Sequence, residues 1–277
     1  YKASDAEPAA IYAKDFDNNG SYDAFPATFI AASKDNQQRM EFPVHTRDDA
    51  VKQMISLRSK FQNYKTYAGA SLKEFFTAEQ LKSAQVVNAV NFKSCLVRND
   101  GNGKFTLLPL PMQAQLSIIN GMSVEDYDAD GKLDVVIAGN DFGTEVSIGR
   151  YDAMNGLLLK GDGDGNFTAS TILQSGMFLP GNAKAMVKLT GPGNKCYLAA
   201  SQNKSALKIF NINAPGRVYA LQPIDESAVF TLANGKKYKT EFYYGSSFLS
   251  QGQRVVLAPA NVQSIEITNS KGIKRKL

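Results

Sequence analysis

The stretch Asp126-Tyr127-Asp128-Ala129-Asp130-Gly131-Lys132-Leu133-Asp134 decides the fold and the chemistry that we predict for this chain. An earlier stretch, Asp15-Phe16-Asp17-Asn18-Asn19-Gly20-Ser21-Tyr22-Asp23, repeats its pattern. Both follow DxDx[DN]GxxD, with oxygen-bearing side chains at positions 1, 3, 5 and 9 and a glycine at position 6 that permits a sharp turn. A strand-like run follows each stretch, so the pattern predicts a β protein with two acidic loops.

Oxygen donors gathered in a short loop are what Ca²⁺ requires, whereas Mg²⁺ prefers octahedral sites and retains its waters. An EF-hand would place a glutamate at position 12, where this chain has Pro26 and Ile137. Carboxylates crowded into one loop also repel one another unless a cation is present. The alternative is a pair of Asx-rich surface turns that bind no ion. The expected ligands are the side chains of Asp15, Asp17, Asn19 and Asp23 with the Ser21 carbonyl, and those of Asp126, Asp128, Asp130 and Asp134 with the Lys132 carbonyl.

Short runs rich in β-branched and aromatic residues dominate the rest of the chain. Many short strands at close spacing are typical of a sandwich, a barrel or a propeller. The predicted strand runs are 22–32, 86–96, 133–138, 156–159, 195–200, 206–210, 254–257 and 262–268.

Residues 46–84 break this pattern and predict two or three helices inserted into the β protein. Thr46 is followed three residues later by Asp49, and apolar residues then recur at helical spacing. Ser71-Leu72-Lys73-Glu74 and Thr77-Ala78-Glu79-Gln80 are capping boxes. The aromatic residues of this insertion are expected to pack inside the protein; the alternative is an exposed partner surface. They are Phe61, Tyr64, Tyr67, Phe75 and Phe76.

Two glycine-rich turns indicate an internal repeat. Asn99-Asp100-Gly101-Asn102-Gly103-Lys104-Phe105 is similar to Gly161-Asp162-Gly163-Asp164-Gly165-Asn166-Phe167, and each predicts a hairpin. From acidic loop to turn the chain runs 85 residues in the first case and 36 in the second. The excess of 49 residues is close to the length of the helical segment, so we expect two copies of one β unit, the first with an insertion.

The loops, the turns and their order resemble FG-GAP/VCBS repeats, the blade units of β-propellers. In that family the DxDxDGxxD loop binds Ca²⁺, which implies the same ligand residues as above. The stretches at 138–143 (AGNDFG) and 149–153 (GRYDA) are similar to repeats of surface-associated VCBS proteins of Bacteroidetes.

The C-terminal stretch resembles a second family. Tyr244-Gly245-Ser246-Ser247-Phe248-Leu249-Ser250-Gln251 is similar to the G-x-G-[FY]-L-S-Q core of the ASPIC/UnbV domain, with Ser246-Ser247 where that motif has a glycine. The two resemblances imply propeller-like repeats over 1–213, interrupted by the insertion at 46–84, and an ASPIC/UnbV-like β segment over 214–277.

A third unit at 183–211 lacks the acidic loop, so we expect an all-β chain with about three β-propeller-type blades, a helical insertion and a C-terminal β segment. A closed propeller has about four to eight blades. The sequence leaves three arrangements open: a piece of a longer propeller, a ring completed by association, or a blade filled by the C-terminal strands.

Composition narrows the function classes. The chain has 277 residues and one histidine, His45, which excludes a multi-histidine zinc site. We expect its two cysteines, Cys95 and Cys196, to be buried free thiols; the alternative is one disulfide bridge. The formal net charge is +5, of which Lys271, Lys274, Arg275 and Lys276 carry four, so we expect a short basic tail and no nucleic-acid partner. No apolar run approaches the ~20 residues of a membrane span. The chain begins without an initiator methionine or an apolar leader, which is typical of a chain whose export signal has been removed.

These features favour a calcium-binding, extracytoplasmic adhesion or binding module, secreted or associated with the cell surface, whose calcium is structural. The expected partner is a protein or a glycan at the cell surface, and no catalytic residues are expected. Two alternatives are an accessory surface protein of a glycan-uptake system and a hydrolase that uses paired carboxylates.

Overall fold

The structure is a computed structural model that describes residues 3–146, 148–213 and 216–277. It divides into two compact units, Tyr1–Lys93 and Ser94–Leu277.

Antiparallel strands dominate both units, so the all-β prediction is confirmed at this level. The strands are β1 (Ala9–Lys14), β2 (Asp23–Ala31), β3 (Arg39–Pro43), β4 (Gln85–Ala89), β5 (Cys95–Gly101), β6 (Lys104–Pro109), β7 (Ile119–Glu125), β8 (Asp134–Gly139), β9 (Leu157–Gly161), β10 (Phe167–Ala169), β11 (Ala183–Gly191), β12 (Lys195–Gln202), β13 (Lys208–Ile212), β14 (Gly216–Ala220), β15 (Asp225–Leu232), β16 (Lys237–Glu241), β17 (Val255–Pro259), β18 (Val262–Asn269) and β19 (Lys274–Lys276).

The α-helices that the structure describes are short. They are α1 (Arg47–Gln53), α2 (Leu57–Lys60), α3 (Tyr64–Ala68), α4 (Leu72–Phe75), α5 (Ala78–Lys82) and α6 (Ile172–Ser175). None of these helices has the length and apolar character that crossing a bilayer requires.

In the first unit, one sheet of order β3-β2-β1-β4 packs against the helical insertion, which lies between β3 and β4. Five short helices form within the predicted segment, where two or three were expected, because side-chain caps at Asn63, Ser71 and Thr77 each begin a new helix. The side chain of Thr46 accepts a hydrogen bond from Asp49 N, and the boxes at Ser71 and Thr77 are both formed.

The aromatic residues of the insertion form the core of the first unit. Phe61, Tyr67, Phe75 and Phe76 are buried, and only Tyr64 of the five is exposed. The expectation of internal packing is therefore confirmed for these four, and the alternative of an aromatic partner surface is wrong.

In the second unit, the sheet β10-β9-β8-β7 is a simple meander in which β8 lies between β7 and β9. The predicted apolar run at 133–138 forms this strand, and its side chains alternate between two cores. Val136 and Ala138 pack in one core with Met186 of β11, whereas Ile137 packs in another with Leu159 of β9. This double burial fixes the register of the strand that follows the second acidic loop.

The remaining strands form four more antiparallel sheets of the second unit: β5-β6, β11-β12-β13, β14-β17 and β16-β15-β18-β19. The C-terminal sheets enclose a core in which Phe230 of β15 faces Ile265 and Ile267 of β18. Cys95 and Cys196 do not form a disulfide, as expected.

Three expectations differ from the structure. The run 86–96 is two strands, because β4 ends at Ala89 and β5 begins at Cys95. The hairpin β5-β6 forms a sheet of its own, so the spacing argument for a complete first repeat is wrong: β4, and not this hairpin, joins the sheet of the first acidic loop. The basic C-terminus is not a free tail, because β19 pairs with β18 and Arg275 binds Asp225 at 2.6 Å.

The proposed boundary between 213 and 214 falls at residue 214, which lies outside the described residues. The division into 1–213 and 214–277 therefore stays a prediction.

Candidate metal centre

Each acidic loop connects two neighbouring antiparallel strands. The first joins β1 to β2, whose register pairs Lys14 with Asp23, and the second joins β7 to β8, whose register pairs Glu125 with Asp134. The last aspartate of each motif is therefore the first residue of a strand, where the sheet holds it against the loop.

The two loops have the same internal hydrogen bonds. In each, the carboxylate at position 1 accepts from the backbone N–H groups of positions 5 and 6, the side-chain oxygen at position 5 accepts from the N–H of position 7, and the carboxylate at position 9 accepts from the N–H of position 2. In the order just given, these bonds measure 3.0, 2.9, 2.8 and 3.0 Å in the first loop and 3.1, 2.9, 2.9 and 3.0 Å in the second.

The backbone follows the same path in both loops. Position 4 is left-handed in each, with φ of 56° at Asn18 and 62° at Ala129, and position 6 has φ of 87° at both Gly20 and Gly131. An L side chain seldom adopts the latter conformation, so the motif requires glycine there. Two segments with different neighbours thus fold alike because their shared residues dictate the local structure.

This geometry gathers three carboxylates in each loop. Oxygens of Asp15, Asp17 and Asp23 lie within 4.8 Å of one another in the first loop, as do oxygens of Asp126, Asp128 and Asp130 in the second. Both sets consist of oxygen donors, which fit a hard divalent cation.

The predicted ligands at position 5 also hold the loops together through hydrogen bonds. The side chain of Asn19 accepts from the N–H of Ser21, and that of Asp130 accepts from the N–H of Lys132. Asp134 stands outside the close triad of its loop, and its two oxygens accept from Tyr127 N and Gly161 N.

The pKa of Asp23 and the hydrogen bonding of Asp17 indicate that the first loop lacks positive charge. Burial raises the pKa of Asp23, and the charges of Asp17 and Asp15 raise it further, against the opposing hydrogen bond from Phe16 N. Oδ1 of Asp17 is buried and has no hydrogen-bond partner. A buried carboxylate oxygen is costly without a partner, so this atom is suited to a metal ion.

The second loop carries a stronger pKa shift. Burial raises the pKa of Asp126 to about 6, and the charges of Asp130, Asp134 and Asp128 add to the effect. Burial also raises the pKa of Asp134. These carboxylates are costly to ionise together, which a bound cation would relieve.

Two lysines already neutralise part of the second loop. Lys160 Nζ lies 2.9 Å from Asp128 Oδ2, and Lys132 Nζ lies 3.3 Å from Asp130 Oδ2. Burial opposes ionisation of Asp128, but the hydrogen bond and charge of Lys160 lower its pKa overall. A metal ion in this loop must therefore compete with ammonium groups, whereas no lysine is paired with the triad of the first loop among the described residues.

Sequence reasoning missed Lys160 and the N–H of Gly161, which both reach the second loop from β9. The strand register places these two residues at the loop. Because Leu159 of β9 pairs with Val135 of β8, the next residues of β9 lie beside the loop. Register between strands is set by the whole sheet, so the spacing of the motif does not reveal it.

The second loop also contacts the C-terminal strands. The Asn261 side chain, between β17 and β18, donates to the carbonyl of Ala129 at 2.9 Å. A Cβ atom on Gly131 would lie 2.5 Å from Cδ1 of Leu232 at the end of β15. The conformation of this loop therefore depends on how the C-terminal sheet packs against it.

No protein-family model matches this chain, and a comparison with curated proteins finds no match.

Proposed function

We propose that this chain is a calcium-binding, extracytoplasmic binding module in which Ca²⁺ stabilises the two acidic loops. The observation that carries the proposal is the duplication of one loop conformation, with the same four hydrogen bonds and a triad of carboxylates in each copy. A surface turn needs neither three converging carboxylates nor a buried, unpartnered Asp17 oxygen.

The proposal extends to the architecture. The sheet β7 to β10 is a four-stranded meander with the acidic loop between its first two strands, and β11 to β13 form a three-stranded meander without such a loop. Together with the motif resemblances, this supports FG-GAP/VCBS-type repeats followed by an ASPIC/UnbV-like segment. We propose a protein or glycan at the cell surface as the partner of such a module.

The role of calcium in this proposal is structural. The carboxylates lie in loops that join neighbouring strands, so an ion held there fixes strand geometry and removes carboxylate repulsion. Extracellular modules function with weak sites, with Kd of about 10⁻⁴–10⁻³ M. Calcium at about 10 mM would then stabilise each unit by about 1.4–2.7 kcal/mol.

The test measures calcium binding by titration calorimetry and thermal stability in calcium, magnesium or chelator. Asp17→Asn and Asp128→Asn each remove one carboxylate from one triad. The matched control is Asp164→Asn, an exposed aspartate in the glycine-rich turn between β9 and β10, outside both loops.

We expect two calcium-binding events in the parent chain and in the Asp164→Asn control. Asp17→Asn should lose the event of the first loop, and Asp128→Asn should lose the event of the second loop. Magnesium should raise the melting temperature less than calcium does. The proposal is wrong if the parent chain binds no calcium and its melting temperature is the same in calcium and in chelator.

A further inference from the structure

A cavity of about 440 Å³ lies in the second unit. Leu133 of the second acidic loop is among its lining residues, whereas no triad carboxylate is. Strands β7 and β11 line one side of it, and the C-terminal strands β15, β16 and β17 line the other. Its volume falls within the range of about 300–1,000 Å³ that small-molecule sites occupy.

Hydrogen bonds hold the walls of this cavity in place. In the segment 244–251, the hydroxyl of Ser247 accepts from Met122 N of β7, and the hydroxyl of Ser250 accepts from Met186 N of β11, each at 3.0 Å. Tyr244, the first residue of this segment, lines the cavity. The motif thus attaches the C-terminal strands to the preceding sheets and fixes the rim, which is the preorganisation that a binding site needs.

Two of the charged pairs that line the cavity are already compensated. Glu125 forms an ion pair with Lys188. Glu241 lies 3.0 Å from Lys239 Nζ and accepts a hydrogen bond of 2.7 Å from the hydroxyl of Tyr243. These pairs supply polar walls but add no net charge.

Arg254 is the uncompensated cation of the cavity. Its guanidinium lies 4.3 Å above the ring of Tyr244, and its two terminal nitrogens donate to the carbonyls of Pro223 and Asp225. It forms no ion pair with any carboxylate in the part of the chain that the structure describes. Its Nε is buried and has no hydrogen-bond partner, so the side edge of the guanidinium lacks an acceptor.

The rim beside this arginine is aromatic. The side chains of Tyr243 and Tyr244 are 71% and 59% exposed, although large aromatic side chains gain free energy from burial. A carboxylate matches the edge of a guanidinium through two parallel hydrogen bonds. A ring, whether aromatic or a sugar's, presents a face of C–H or π surface that can pack against Tyr243 and Tyr244.

We propose that this cavity binds a small carboxylate that carries a ring, with its carboxylate beside the guanidinium of Arg254 and its ring against Tyr243 and Tyr244. Two sources share this chemistry, a uronic acid sugar and an aromatic acid. None of the proposed calcium ligands lines the cavity, so binding measured in chelator separates this proposal from the proposed function.

The experiment titrates the full chain with D-glucuronate and benzoate at millimolar concentration, in calcium and in chelator. The neutral counterparts D-glucose and benzyl alcohol test the need for charge, and acetate tests the need for a ring. We expect at least one of the ring acids to bind, with the tighter of the two identifying the source, and the neutral compounds and acetate to bind at least about tenfold more weakly.

Two substitutions locate the site. Tyr243→Ala should weaken binding about fivefold, because it removes the ring contact from an exposed position that the fold does not need. Arg254→Lys should weaken it by about tenfold or more, since an ammonium cannot bind a carboxylate bidentately. The controls are Tyr151→Ala, at a partly exposed tyrosine outside the cavity, and Arg150→Lys, at an arginine that lies 5.1 Å above the ring of Phe142.

The proposal is overturned if neither ring acid binds, if the neutral counterparts bind equally well, or if Tyr243→Ala binds like the parent chain. Circular dichroism shows whether Arg254→Lys has folded, and the Tyr243→Ala result decides the matter if it has not.

Discussion

Alanine substitutions at Gly20 and Gly131 compare how tightly the two acidic loops are packed, because each glycine holds position 6 of its loop. Both residues have φ of 87°, so an alanine at either position carries the same backbone strain. Their surroundings differ: a Cβ on Gly20 meets nothing within 4 Å, whereas a Cβ on Gly131 would lie 2.5 Å from Cδ1 of Leu232. Leu232 is 3% exposed and has little room to move aside.

The expected losses of stability follow from the backbone strain, which both positions share, and from the contact with Leu232, which only Gly131 makes. Left-handed backbone costs an alanine about 1–2 kcal/mol, which is the whole effect expected for Gly20→Ala. Forcing a methyl group against a packed leucine adds about 1–3 kcal/mol. We therefore expect Gly131→Ala to lower the free energy of unfolding by about 2–5 kcal/mol.

Urea denaturation in chelator, followed by circular dichroism, measures both variants without any contribution from bound metal. Leu232→Ala and the double variant with Gly131→Ala complete a double-mutant cycle. We expect a coupling energy of about 1–3 kcal/mol, because the smaller side chain relieves the contact. Equal losses for Gly20→Ala and Gly131→Ala, with no coupling to Leu232, would refute the close packing of this loop against the C-terminal sheet.

Four further predictions follow from the sites and the core. Calcium affinity of the second loop should fall as the pH drops through about 6, because protons compete for Asp126, whose pKa is raised to about 6; calorimetry at several pH values measures this, and a constant affinity would contradict it. In chelator, the Asp126 carboxyl should make the protein less stable as the pH rises from about 4 to about 6, because the folded state binds its proton more tightly than the unfolded state does. Melting temperatures of the parent chain and of Asp126→Asn, measured across this pH range, test the direction of the change. Lys160→Met should raise the calcium affinity of this loop about two- to fivefold by removing the ammonium beside Asp128, whereas Lys208→Met, at an exposed position of β13, should leave it unchanged. Phe76→Ala should lower the free energy of unfolding of the first unit by about 3–5 kcal/mol, because Phe76 is 2% exposed and stacks on Phe16 at 3.9 Å; a loss below about 1 kcal/mol in denaturation would contradict this.

The features that could be predicted from the sequence are those whose causes are local. The caps at Thr46, Ser71 and Thr77 lie within three residues of the groups they bind, and each begins a helix in the structure. The glycine-rich turn at 161–167 joins β9 to β10 for the same reason. The two acidic loops adopt one conformation because the motif supplies its own donors, acceptors and glycine.

The features that the sequence missed depend on residues far apart in the chain. The first repeat was expected to include the hairpin β5-β6, but β4 pairs with β1 and leaves that hairpin in a separate sheet. The C-terminal lysines and Arg275 predicted a short basic tail, yet β18 offers an open edge with which β19 pairs. Strand pairing is settled by burial across a whole sheet, which no local pattern records.

By itself, the amino-acid sequence determined the short strands, the helical insertion and the carboxylates that converge in each loop, because these arise from contacts between near neighbours in the chain. Only the tertiary structure decided that Lys160 reaches Asp128, that Leu232 covers Gly131 and that Arg254 lies in a cavity without a carboxylate partner among the described residues. Those contacts join residues more than 20 positions apart, and their formation depends on strand register and core packing across the second unit.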